Sequence, residues 1–140
     1  MSGRDSKSAS VTIRCKGETA LRDSVEAARL FGIDTGLEAA DAARLAIIVE
    51  ELVANLADHG GLDATDVIEL GLSRGADGAI ALLLVDEGTA FDPRTADADA
   101  AIPDRGGGAG LNLVRAWATI VDYRRDGGRN HTLLSIPTAS

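Results

Sequence analysis

The order of patterns along the chain predicts a two-layer α/β sandwich, with helices packed on one face of a sheet. Three observations carry that reading. A short strand pattern is followed by two segments of helical apolar spacing, and further on two pairs of strand-like runs are each joined by a glycine-bearing turn. The third is composition: 45% of residues are hydrophobic but only 3% aromatic, so the core must be Ala, Leu, Val and Ile, which suits helices laid on a sheet. At 140 residues the chain is expected to be one domain.

Residues 1–10 read as a disordered leader of small polar residues, and 11–137 as the domain. Val11 to Cys15 alternates in character before Gly17 and predicts the first strand. From Glu18 to Phe31, Leu21, Val25 and Ala28 recur at helical spacing, and Gly32 is expected to close that helix. A longer helix, rich in Ala, Leu and Glu, is predicted from Leu37 to Asp58, ending at Gly60-Gly61. Val67 to Ser73 and Ala79 to Val85 flank Gly75-Ala76-Asp77-Gly78 and predict a hairpin. Thr89 to Gly108 has no sustained period, and a loop of that length in a compact domain has a job or is disordered. Leu111 to Ile120 resumes a helical pattern. Val121 to Arg125 and Thr132 to Ile136, around Asp126-Gly127-Gly128, predict a final hairpin.

Charge and cysteine usage exclude several function classes. Fourteen basic against 22 acidic residues leave a formal charge of −8, which repels a phosphate backbone, so direct nucleic-acid binding is not expected. Arg124, Arg125 and Arg129 read as a solvated hairpin, with a local contact to an acidic partner as the alternative. Cys15 is the only cysteine, which rules out an intrachain disulfide and reads as a small core residue in a strand. One thiol and two histidines give no zinc spacing. No signal-peptide or membrane-span pattern is present, and the expected location is the cytoplasm, without membrane contact.

The chemistry-bearing residues begin on the second helix. At about 100° per residue, Asn55 falls within the arc of Leu45, Ile48, Leu52 and Leu56, Glu51 lies at its edge one turn earlier, and Glu50 points away. An amide on the apolar face must find hydrogen-bond partners or cost stability, and a carboxylate at its border is suited to accepting a proton. That is the placement expected of a Mg²⁺ ligand beside a general base. Asp58 and His59 continue the same side. The plainer alternative is an Asn capped by backbone and a solvent-facing Glu.

Asp86-Glu87-Gly88-Thr89-Ala90-Phe91-Asp92-Pro93 begins where an apolar strand ends. A carboxylate there can accept a hydrogen bond from an exocyclic amine such as adenine N6, and Gly88 lets a flat ring approach the backbone. An ordinary Asp-x-Gly turn has the same sequence. Asp104-Arg105-Gly106-Gly107-Gly108-Ala109-Gly110-Leu111 then leads into a helix, where exposed backbone N–H groups and the helix dipole suit phosphate oxygens. Arg105 is placed to reach a terminal phosphate. Neither the Walker pattern nor a dinucleotide fingerprint is present.

Taken together, Glu51-x-x-x-Asn55, Asp86-x-Gly88 and Gly108-x-Gly110 resemble the N, G1 and G2 boxes of the GHKL ATPase superfamily, over about Val11 to Ile136. The resemblance implies a Bergerat-type ATP-binding sandwich with a mixed, mainly antiparallel sheet. Within the superfamily the short length, the Asp86 to Pro93 segment and the C-terminal hairpin look like the anti-sigma factor serine kinases. These partner-switching proteins bind a sigma factor and phosphorylate a STAS-type anti-anti-sigma protein, using ATP/ADP and Mg²⁺, commonly as homodimers.

Carried over by motif, the resemblance makes Glu51 the base, Asn55 the Mg²⁺ ligand, Asp86 the reader of adenine and Arg105 a lid arginine near the γ-phosphate. It adds Asp58, His59, Gly88, Phe91 and Thr132 around the nucleotide, and Gly106, Gly107, Gly108, Ala109, Gly110 and Leu111 around the phosphates. The lid from Thr95 to Asp104 holds acidic side chains and no Lys, with Arg94 and Arg105 to balance them. Other readings are a nucleotide-binding module that transfers no phosphate, a switch kinase that acts on a STAS protein without binding sigma factor, and a detached histidine-kinase catalytic domain. The last lacks a helical hairpin with a phospho-accepting His, since His59 lies in the motif helix and His131 in a predicted strand.

Overall fold

A computed structural model describes residues 10–59, 61, 63–88 and 107–139. The elements run β1 (Ser10–Lys16), α1 (Gly17–Asp34), α2 (Ala39–His59), β2 (Val67–Arg74), β3 (Ile80–Asp86), α3 (Gly107–Trp117), β4 (Thr119–Asp126) and β5 (Arg129–Ile136). The strands form one sheet in the order β1-β2-β3-β5-β4. All four pairings are antiparallel, so among the described residues the sheet is not mixed. Two tight hairpins impose this on β2–β3 and β4–β5, and β1 and β5 dock on the outer sides of the first hairpin in the opposite sense.

Alternation along the strands selects the inner face. Ile68, Leu70 and Leu72 of β2, Ile80, Leu82 and Leu84 of β3, and Leu134 and Ile136 of β5 are buried in one cluster. The same cluster takes Leu45, Ile48, Val49, Leu52, Val53 and Leu56 from α2, Ala20, Ala28 and Phe31 from α1, and Val114 from α3. The helices therefore cover one face, and the core is the aliphatic one that composition predicts. Truncating a residue as enclosed as Leu82, at 0% exposure, costs about 2–5 kcal/mol by lost burial and cavity formation.

Helix α1 departs from its expected limits for identifiable reasons. It starts directly at Gly17, and its first N–H groups are taken by loop carbonyls, Gly17 N–H by Asp66 at 2.8 Å and Glu18 N–H by Ala64 at 3.0 Å. Gly32 does not end it. Gly32 is buried within the helix, where a Cβ would come 3.4 Å from the Ala42 Cβ, so this glycine permits close helix packing. The terminator is Gly36, at φ +70°, with Leu37 N–H returning to the Gly32 carbonyl at 2.9 Å.

The glycine run behaves similarly: α3 begins at Gly107 and ends at Trp117, earlier at both ends than Leu111 to Ile120. Gly107, Gly108, Ala109, Gly110 and Leu111 are thus the first turns of the helix rather than its approach. Arg44 of α2 lies over the Trp117 ring at 5.9 Å, tying the end of α3 to the first half of α2. Asp41, 3% exposed, faces Arg44 at 3.6 Å and accepts the Ala139 N–H at 3.0 Å, which anchors the segment after β5.

β4 carries a bulge between Ile120 and Asp122. Ile120 pairs with Leu134, and the extra residue, Val121, shifts the alternation so that Tyr123 pairs with Thr132 and Arg125 with Asn130. Strict alternation from Ile120 would have put Asp122 and Arg124 on the inner face. The bulge puts Tyr123 and Arg125 there instead.

Candidate functional site

The inner face changes character at one end of the β3–β5 ladder. Leucines and isoleucines give way to Thr132, opposite Leu84, and then to Asn130, opposite Asp86. All three polar residues are buried, at 6%, 2% and 2% exposure. Burying a carboxylate and an amide is costly unless their hydrogen bonds are made, and here they are.

The Asp86 Oδ1 accepts the Gly88 N–H at 2.8 Å and the Asn130 Nδ2 at 2.9 Å. The Asn130 Oδ1 in turn accepts from the Tyr123 hydroxyl and from Arg125 Nη1, the latter at 3.0 Å. Arg125 Nη1 also donates to the Gly88 carbonyl at 2.9 Å, and Asn130 Nδ2 lies 3.4 Å from that carbonyl. The turn Asp86-Glu87-Gly88 is held from both sides. Both donors to the carboxylate land on Oδ1; among the described residues none is placed on Oδ2.

Helix α2 presents a different surface. Glu51 and Asn55 are half-buried at the rim of the core, Glu50 is exposed, and Asp58 is exposed one turn on. Neither Glu51 nor Asn55 has a side-chain hydrogen bond among the described residues. His59 is the last residue of the helix. Helix α3 packs against α2, bringing the glycine-led helix and the Glu51–Asn55 helix into one layer. Phe91, Arg94, Arg105, Gly106 and the Thr95 to Asp104 segment lie outside the described residues.

Three residues of this corner were not read as site residues from sequence: Asn130, Tyr123 and Arg125. Arg125 and Arg129 are also not simply solvated. Arg125 binds the strand-end turn, and Arg129 pairs with Glu69 at 3.3 Å, beside Arg14, which pairs with the same carboxylate at 3.5 Å. His131 is half-buried on the opposite face, paired with Val85 and Arg124. Cys15 sits on β1 with its Sγ 4.0 Å from the Ser24 hydroxyl; burial pushes its thiol pKa up, against a smaller lowering by that contact.

The donor set suits Mg²⁺ held together with a polyphosphate. Among the described residues no group of three or more His, Cys, Asp or Glu gathers to hold a metal. The Asn55 amide offers a single hard oxygen, and Mg²⁺ commonly takes one or two protein oxygens and completes its shell with phosphates and water. Among the described residues no helix is long and apolar enough to cross a membrane.

A family model for the histidine kinase-like ATPase domain matches residues 16–136. Among solved structures, the RsbU and RsbW domains of Rv1364c from Mycobacterium tuberculosis are similar with TM-score 0.60 and 18% identity, over 93% of this chain and 34% of that one. The blue-light activated histidine kinase of Erythrobacter litoralis EL346 gives 0.58 at 17% identity, over 89% of this chain and 42% of that one. The histidine kinase domain from that protein gives 0.54 at 17% identity, over 98% and 66%. These identities speak for the fold, and the chain spans less than two thirds of each solved chain. No curated protein matches it in sequence. The match, from the last residue of β1 to the last residue of β5, on a sandwich that ends in this polar corner, means that the chain belongs to the histidine kinase-like ATPase domain family of the GHKL superfamily.

Proposed function

We propose that the chain is an ATP-dependent protein serine kinase of the partner-switching kind, which binds a sigma factor and phosphorylates a STAS-type protein. The observation that carries the reading is the pairing of a pre-bonded buried carboxylate, Asp86, with a Glu51–Asn55 pair on α2 whose side chains make no hydrogen bond among the described residues. The first suits recognition of a base, and the second suits groups whose partners arrive with the ligand. Family membership supports nucleotide binding, and the likeness in fold to the RsbU and RsbW domains of Rv1364c supports the serine-kinase branch.

In this reading Asp86 accepts the adenine amine, Gly88 lets the ring lie against the backbone, and Thr132 stands beside them on β5. The N–H groups of the first α3 turn, Gly107 to Gly110, meet phosphate oxygens, since the first four of any α-helix lack partners within it. Asn55 supplies the protein oxygen for Mg²⁺. Bound Mg·ATP supplies the phosphoryl group. Glu51 orients the substrate serine hydroxyl and takes its proton, a contribution secondary to positioning and charge stabilisation in such transfers.

The test is incubation of the chain with labelled ATP and its cognate STAS protein. Label on a serine of that protein, lost in Glu51→Ala, is the expected result. Nucleotide binding without any transfer would point to the sequestering module. Co-purification of a sigma factor, or of a signalling scaffold in its place, decides the partner.

A further inference from the structure

Asp86 alone does not determine what it reads. A carboxylate at a strand end can rotate and offer either oxygen, and its selectivity depends on what holds it. The holding group is Asn130, directly across the ladder and fully enclosed. Its orientation follows from chemistry: guanidinium has no acceptor, so the amide edge facing Arg125 must be the oxygen, and the edge facing Asp86 must be the nitrogen. The Tyr123 hydroxyl reinforces that choice from the same strand.

We infer that Asn130, fixed by Tyr123 and Arg125, is a positioning residue that sets nucleobase selectivity by occupying Asp86 Oδ1 and leaving Oδ2 as the acceptor for a 6-aminopurine. This rests on the reading of Asp86 as the adenine contact. Two N–H donors on Oδ1 stop the carboxylate from turning, and Arg125 on the Gly88 carbonyl stops the turn itself from shifting. Only the β4 bulge brings Tyr123 and Arg125 to the face where they can do this. A purine with a 6-oxo group presents an acceptor where adenine presents its amine, and that oxygen meets an acceptor held in place against it.

The experiment is calorimetric titration of the wild-type chain, Asp86→Ala, Asn130→Ala and Tyr123→Phe with Mg·ADP and with Mg·IDP, which differ at that position of the base. The wild type is expected to favour ADP, and Asp86→Ala to lose the preference. Asn130→Ala is expected to weaken ADP roughly 10-fold while IDP changes by less than about 2-fold, the loss appropriate to a hydrogen bond involving a charged group. Tyr123→Phe moves the ratio the same way by less. A merely structural Asn130 would weaken both nucleotides together, and that result, or an unchanged ratio, overturns the inference. If Asn130→Ala does not fold, an unchanged ADP/IDP ratio in Tyr123→Phe overturns it equally. If the wild type itself does not distinguish ADP from IDP, the adenine reading falls and the inference with it; if it does and Asp86→Ala abolishes the difference while Asn130→Ala keeps it, only the inference falls.

Discussion

The strand-end corner at Asp86 and the helical rim at Glu51 and Asn55 are built on opposite plans. At the corner Asp86 and Asn130 are buried and already hydrogen-bonded, to each other and to Gly88, Tyr123 and Arg125. The rim is half-buried, and its two polar side chains bond to no other described residue. A group that must discriminate between bases gains from being fixed beforehand, because its geometry then costs nothing to assemble on binding. Groups that meet a metal ion, phosphates and a protein hydroxyl take their partners from outside. In the proposed function, the difference separates recognition from transfer within one domain.

Substitutions on the two sides should therefore fail differently. The largest effect is expected for Glu51→Ala: transfer to the STAS protein falls by roughly 100-fold or more, within the range for loss of a general base, while calorimetric Mg·ADP affinity stays near wild type. Asn55→Ala should lower both transfer and binding. Equal loss of binding in Glu51→Ala would merge the two regions and break the comparison.

Next, Asp86→Ala should weaken nucleotide binding by about 10-fold or more and also cost stability, about 1–3 kcal/mol in urea unfolding, because the Gly88 N–H and the Asn130 amide lose their acceptor. Asn55→Ala, with no bond to lose among the described residues, should change stability by less than about 0.5 kcal/mol. That asymmetry is the sharpest thermodynamic form of the contrast.

Much of this was legible in the sequence, and the parts that were not share a cause. Elements carried by sustained period, such as α2 with Leu45, Ile48, Leu52 and Leu56, and the β2–β3 hairpin around Gly75 to Gly78, came out within a few residues of their limits. Gly32 misled because a glycine packed within a helix against Ala42 reads the same in sequence as one that ends it. Asp86-x-Gly88 was readable as a motif. Its support was not, since Asn130 reaches Asp86 only through the β3–β5 register, and Tyr123 and Arg125 reach Asn130 only through a bulge that reverses the parity of β4. Alternation contains no sign of one inserted residue.

Smaller predictions follow from that support. Gly127 and Gly128 form the β4–β5 turn at φ +62° and +78°, with open space where a Cβ would go. Gly127→Ala should cost about 1 kcal/mol in thermal or urea unfolding from backbone strain alone, and should also loosen the ADP preference if the turn sets the register of Arg125 against Asn130.

The smallest effect is at Cys15, on β1. With its thiol pKa pushed up by burial, folded Cys15 should alkylate more slowly at mildly alkaline pH than the urea-unfolded chain. The unfolded thiol ionises first as pH rises, so stability should decline slightly through and above the ordinary thiol range. Equal alkylation rates in the two states would show that Cys15 is not shielded as described.

The central claim is that one pocket holds the nucleotide, read at the β3–β5 corner and served from α2 and α3. Titrating the wild-type chain and Asp86→Ala with Mg·ADP tests it most directly. The account predicts saturable binding by the wild type that is weakened by about 10-fold or more in a folded Asp86→Ala chain. No heat with the wild type, or identical binding by both, would contradict it.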